Sequence, residues 1–238
     1  MGAGNCLQKS PFPAPFGASS VLPEGESRAI ELGREWMKKS LDSGHDYTHV
    51  CNVEEYALCS YLSLRDGGRI PDGLIDENLV RIAALWHDAF KATQGRPSLY
   101  NCLVEGIESS RIIRKQLKEF LSEERLNLVL DAVTFHNIPW LYPFRFLYPA
   151  RLTMLGLILV EGDSLDSFNS KRFRVQWREH PGLFNRTTLI VVHTVKVLTM
   201  LTFLRSGYAV RTFWREIRNL MSPSGGAGSP PGGPANSL

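Results

Sequence analysis

The sequence predicts an all-α fold, a single-domain bundle of helices, and three observations carry the prediction. Segment after segment places apolar residues at three-and-four spacing, no segment alternates with period two, and no internal repeat points to a solenoid. At 238 residues with 43% hydrophobic composition, the chain builds one sizeable core.

Residues 1–24 hold four prolines among Gly, Ser and Ala without periodicity and read as a flexible leader. The opening MGAGNC places Gly2 and Cys6 where myristoylation and palmitoylation act. Position six is not the Ser or Thr that the motif requires, so a plain leader is expected, with a lipid anchor as the alternative. The folded domain is expected over 25–221. The tail 222–238, SPSGGAGSPPGGPANSL, buries too little apolar area to fold.

Within the domain, the first helix is predicted over about 26–41, with Asp42, Ser43 and Gly44 as its stop signal. A second, about 47–64, carries Val50, Val53, Ala57, Tyr61 and Leu64 on one face, with His49 beside them, and ends before the DGG turn. The third, about 76–90, aligns Leu79, Ile82, Ala83, Trp86, His87 and Phe90, with Asp88 one position round. The fourth, about 98–119, reads as ordinary packing through Cys102, Leu103, Gly106, Ile107, Ile113 and Leu117, its charges on the far side.

The fifth helix starts at the cap Ser122 and turns Leu126, Val129, Leu130 and Val133 inward, and His136 extends that face. Prolines in IPWLYPFRFLYP, 138–149, exclude a regular helix and predict a structured aromatic loop. A sixth helix, about 149–168, runs Leu152, Leu155, Gly156 and Leu159 and then reaches Asp163. Two further helices, about 183–205 and 208–221, complete the core with β-branched residues and Trp214.

A formal net charge of +3, with Lys and Arg scattered, predicts no nucleic-acid partner. Four cysteines without CxxC spacing, Cys6, Cys51, Cys59 and Cys102, predict reduced thiols in a cytoplasmic protein. The most apolar run, Leu189 to Leu204, contains His193 and Lys196. A lysine at mid-bilayer costs roughly 2.5–3.5 kcal/mol, so a buried helix is expected and not a transmembrane segment.

Four residues continue inward-facing stripes yet are polar: His49, His87, Asp88 and Asp163. Burying them uncompensated costs several kcal/mol. Taken singly, each reads as a hydrogen-bonded core residue. Three separate helices, each delivering such a group and one an adjacent His-Asp pair, point instead to a divalent metal ion, since imidazole and carboxylate suit Mn, Fe, Co, Ni or Zn.

This pattern resembles the HD-domain superfamily of metal-dependent phosphohydrolases. HDYTHVCNVEEYA, 45–57, looks like its HDxxH opening, ALWHDAF its His-Asp doublet and VEGDSLDSF, 160–168, its closing segment. The resemblance covers about 44–168 and implies a helical bundle around a metal held by His49, His87, Asp88 and Asp163. His45, Asp46 and Asp166 would support those ligands from behind. It implies hydrolysis of a small phosphate ester, a nucleotide among the candidates, with Asp88 or Asp163 orienting a metal-activated water. Magnesium joins the metals this chemistry admits.

His136 is a further group near the metal, a donor to phosphate, the acid for the leaving alkoxide, or a core histidine bonded to backbone. Lys91, Arg96 and Arg145 are candidate phosphate-binding cations; the alternative for each is a solvated surface charge. Two-metal members carry extra histidines between the doublet and the last Asp. Only His136 falls there, so one ion is expected and a dinuclear iron oxygenase disfavoured. The remaining alternative is a non-catalytic metal-binding regulatory module. His180 is expected in a loop and His193 in the core.

Overall fold

The structure, a computed structural model, describes residues 24–40, 47–70, 73, 75–94, 99–136, 152–169, 173, 174, 177, 182, 187, 190, 191, 194 and 203–221, with side chains in the fourth helix from 104 onward. Among them no strand occurs. The helices are α1 (Glu24–Met37), α2 (Tyr47–Asp66), α3 (Glu77–Trp86), a 3-10 turn (Lys91–Thr93), α4 (Leu99–Leu117), α5 (Glu123–Thr134), α6 (Met154–Ser167) and α7 (Gly207–Met221). None of them is long and apolar enough to cross a membrane.

Short polar side chains set several starts. Asp76, Ser122 and Thr153 have extended backbones and accept the N–H groups of Leu79, Arg125 and Gly156, satisfying donors that have no partner inside the helix. The Thr153 cap explains why α6 begins at Met154 and not at about 149. At α7 the cap is Ser206, whose hydroxyl accepts the Ala209 N–H at 2.9 Å. Buried Glu161 of α6 accepts the Ser206 N–H at 2.9 Å and its hydroxyl at 2.7 Å, so a carboxylate lies at the positive end of the α7 dipole.

α2 lies inside the bundle, packed on α6 and α3 and also touching α1 and α7. Its inward residues Val50, Val53, Ala57, Tyr61 and Leu64 are buried, as the spacing predicts. Each valine and leucine among them contributes about 1.5–3 kcal/mol relative to exposure. The approach of α6 to α2 depends on Gly162: a Cβ there would stand 2.9 Å from the Val53 carbonyl oxygen and 3.0 Å from the Ala57 methyl. Gly106 plays the same part between α4 and α5, where a Cβ would meet the Thr134 carbonyl.

Two tryptophans tie α1 to α3. Trp86 donates to the Ala29 carbonyl at 2.9 Å, and Trp36 donates to the Ala89 carbonyl at 3.0 Å, beside the His-Asp doublet. The two rings pack with centroids 5.9 Å apart.

α3 stops at Trp86, four residues short of the expectation. The Phe90 N–H is taken by the Ser109 hydroxyl of α4 at 3.1 Å, while the Ala89 N–H bonds Trp86 in the tighter three-residue pattern. The α ladder therefore breaks at the doublet, and residues 87–90 form turns.

Other sequence expectations are corrected by burial. Ile107, placed inward on α4, is 41% exposed, because Glu105, Gly106 and Ser109 take the buried face. Trp214 is 51% exposed, and its neighbour Phe213 fills the core, edge-on to Phe168 at 5.4 Å. Within the apolar run expected as a buried helix, Ile190 and Val191 are helical but 50% and 55% exposed.

Candidate metal centre

Three segments deliver polar side chains to one place in the core. α2 supplies His49, the turn after α3 supplies His87 and Asp88, and α6 supplies Asp163. His49 Nε2 lies 3.1 Å from Asp88 Oδ2 and 3.5 Å from Asp163 Oδ1. His87 Nε2 lies 3.3 Å from Asp88 Oδ2 and 4.0 Å from Asp163 Oδ1. The two Nε2 atoms face each other at 3.3 Å. His49, His87 and Asp88 are buried; Asp163 is the most open member.

The far nitrogens of the rings determine what the near ones present. His87 Nδ1 donates to the Ala84 carbonyl at 2.7 Å, and a carbonyl only accepts. His49 Nδ1 donates to Asp166 Oδ2 at 2.7 Å, and Asp166 Oδ1 accepts from Asn52 Nδ2 at 2.8 Å. With both Nδ1 atoms protonated, a neutral ring carries a lone pair on Nε2. Burial holds His87 neutral, its pKa pulled down to about 4. The His87 lone pair, His49 Nε2 and the Asp88 carboxylate thus converge on one place. A divalent cation satisfies this donor set, and nitrogen and oxygen donors fit one. One ligand atom from each of His49, His87 and Asp163 lies within 4.8 Å of the others, and the same holds for His87, Asp88 and His136.

His136, at the end of α5, sets its ring 5.3 Å from that of His87 and perpendicular to it. Its Nδ1 donates to the Val133 carbonyl at 2.6 Å, and Nε2 lies 3.5 Å from Glu105 Oε1. Burial presses its pKa down, but the hydrogen bond and charge of Glu105 outweigh that and raise it.

Lys91 is not a solvated charge. Its side chain is only 18% exposed, with Nζ 2.8 Å from Glu105 Oε1 and 3.5 Å from Asp88 Oδ1. Burial opposes the ammonium, yet the carboxylates of Asp88 and Glu105 hold its pKa above the ordinary lysine value.

Glu105 escaped the sequence reading, which set the charges of α4 on the far side. It is buried and joins Lys91 to His136. The signal was present: Glu105, Ser109, Ile113 and Leu117 are spaced by four and are all buried. Asn52, one turn after His49, was also missed. His45, Asp46, Arg96, Arg145, His180 and His193 lie outside the described residues.

Residues 46–167 match the family model of the HD domain, more than half of the 238-residue chain. No curated protein and no solved structure matches the chain. The matched span opens just before His49 and closes just after Asp166, so it encloses every side chain of the cluster. With its namesake doublet at His87-Asp88, the chain belongs to the HD-domain superfamily of metal-dependent phosphohydrolases.

Proposed function

We propose that this chain hydrolyses phosphate esters of small molecules, nucleotides foremost among them, around one divalent ion held by His49, His87, Asp88 and Asp163. The observation that carries the reading is the convergence of His49 Nε2, His87 Nε2 and Asp88 Oδ2, gathered within 3.3 Å of one another. Membership of the superfamily supports hydrolysis over a purely structural role. Manganese, iron, cobalt, nickel and zinc suit a mixed imidazole and carboxylate set, whereas magnesium would draw mainly on the carboxylates.

When bound, such an ion supplies a water of lowered pKa and polarises a phosphoryl oxygen. The chain's own groups do the rest. Asp88 accepts a hydrogen bond from the attacking water and orients it. His136, kept basic by Glu105, gives a proton to the leaving alkoxide. Lys91 offers its ammonium to a phosphate oxygen at the Asp88 edge, and Arg96 and Arg145 are the further cations assigned to phosphate. Asp166 holds the His49 ring, and His45 and Asp46 are given supporting places beside it. The leader 1–24, the domain 25–221 and the tail 222–238 remain the proposed division of the chain. A cytoplasmic setting suits nucleotide substrates.

The test is phosphate release by purified protein, stripped of metal and reloaded with manganese, over nucleoside monophosphates and other phosphomonoesters. Turnover is expected, with at least a hundredfold loss in His87→Ala and Asp88→Ala at unchanged circular dichroism. Bound metal with silence across the panel would leave a non-catalytic metal-binding module. Two irons per chain with oxygen consumption would make the protein an oxygenase.

A further inference from the structure

The net charge of +3 conceals an uneven distribution. Residues 170–221 hold ten of the 27 Lys and Arg but only two of the 24 acidic residues, Glu179 and Glu216, so the rest of the chain is net negative. Glu216 is buried, which leaves α7 without an exposed carboxylate. The outer surface of α7 consists of two adjoining stripes at helical spacing. Arg211, Arg215 and Arg218 form one, and Val210, Trp214 and Met221 form the other, all of them exposed. The opposite face, Ala209, Thr212, Phe213 and Glu216, is the one packed into the bundle.

Six large apolar residues are exposed among the described ones, and five lie in this part of the chain: Ile190 and Val191 besides the three of α7. Thr187, Ile190, Val191 and Thr194 are helical and exposed, spaced as one outward face. Arg174 links that face to α7. Its guanidinium donates to the Asn219 carbonyl at 3.3 Å, and it lines a cavity of about 370 Å³ with Phe173, Trp177 and Ile190. At the other end of α7, Arg69 donates to the Arg205 carbonyl at 2.9 Å and adds a further cation.

Charge selects what this face meets. The terminal segments 1–23 and 222–238 carry Lys9 and no acidic side chain, so neither complements the arginines. A second copy would bring the same three arginines on its own α7. A nucleic acid would pair with the arginines but leave Val210, Met221, Ile190 and Val191 with nothing to bury against. An anionic lipid surface satisfies both stripes at once: headgroup phosphates meet the guanidinium groups, while aliphatic side chains and a tryptophan ring enter the boundary between headgroups and acyl chains.

We infer that the outer face of α7, together with Ile190 and Val191, docks onto a membrane surface rich in anionic phospholipid, with the chain lying on the bilayer and not crossing it. The inference goes beyond the proposed hydrolysis and does not depend on the metal centre.

The experiment is co-sedimentation of the full chain with vesicles of phosphatidylcholine alone and of phosphatidylcholine with about one third phosphatidylserine. Binding about tenfold or more tighter to the anionic vesicles is expected, weakening as salt rises. Replacing all three arginines, Arg211→Gln, Arg215→Gln and Arg218→Gln, is expected to cost on the order of a hundredfold in affinity at unchanged circular dichroism. Brominated lipid is expected to quench the tryptophan fluorescence of the parent and to quench Trp214→Phe less. Equal binding to both vesicles, binding to neither, undiminished binding by the triple variant, or equal quenching of parent and Trp214→Phe overturns the inference. So does a chain that binds single-stranded RNA and neither vesicle, or one that forms a dimer lost in the triple variant and binds neither vesicle.

Discussion

Asp166 lies behind His49 in the proposed site and does not face the place assigned to the ion. Its two oxygens accept from His49 Nδ1 and Asn52 Nδ2, which turns His49 Nε2 toward Asp88. Asp166→Asn is therefore expected to keep the fold while weakening metal affinity about 10–100-fold, measured by competition against a chromophoric chelator. Unchanged affinity would show that His49 is oriented by packing alone. His49, His87 and Asp163 were legible in the sequence because each extends an apolar stripe at helical spacing. Glu105 extends one equally well, but an acidic residue on a helix is usually solvated. Only the contacts with Lys91 and His136 reveal what compensates its burial.

Elements position these residues through close helix approach and one interrupted helix. Gly162 lets α6 come against Val53 and Ala57 of α2, the pair of helices that bring Asp163 to His49. Gly162→Ala is expected to destabilise the protein by about 1–3 kcal/mol through overpacking and to lower metal affinity with it. Met221→Ala at the exposed end of α7 is the control, expected within about 0.5 kcal/mol of the parent. Denaturant melts and metal titrations on the two variants test this, and a Gly162→Ala protein as stable as the parent would sink it. Ser109 works differently, by drawing off the Phe90 N–H and ending the α ladder at the doublet. Ser109→Ala leaves that donor without its acceptor and is expected to lose about 1–3 kcal/mol, read from the same melts. The sequence placed α3 in the right region but ran it through to Phe90, because the competitor for that N–H is 19 residues away.

At the scale of the whole molecule, buried imidazoles and carboxylates facing one another would be stabilised by the proposed cation between them, and stability is expected to follow its binding. A ligand at a hundred times its Kd stabilises the native state by about 2.7 kcal/mol. A domain of roughly 150–250 residues gains about 2–4 °C per kcal/mol, so chelation is expected to lower the Tm by roughly 5–10 °C. A melting curve indifferent to chelator and to added manganese would count against the centre. The sequence by itself determined the all-helical class, most helix positions and the four residues that converge, because helical periodicity is a local property and an inward polar side chain interrupts it visibly. Tertiary structure alone decided that Glu105 and Lys91 belong to the same cluster, that Phe213 and not Trp214 enters the core, and that α3 breaks at the doublet. Each of those outcomes depends on a partner distant in the chain, and no local pattern encodes the distance at which two helices meet.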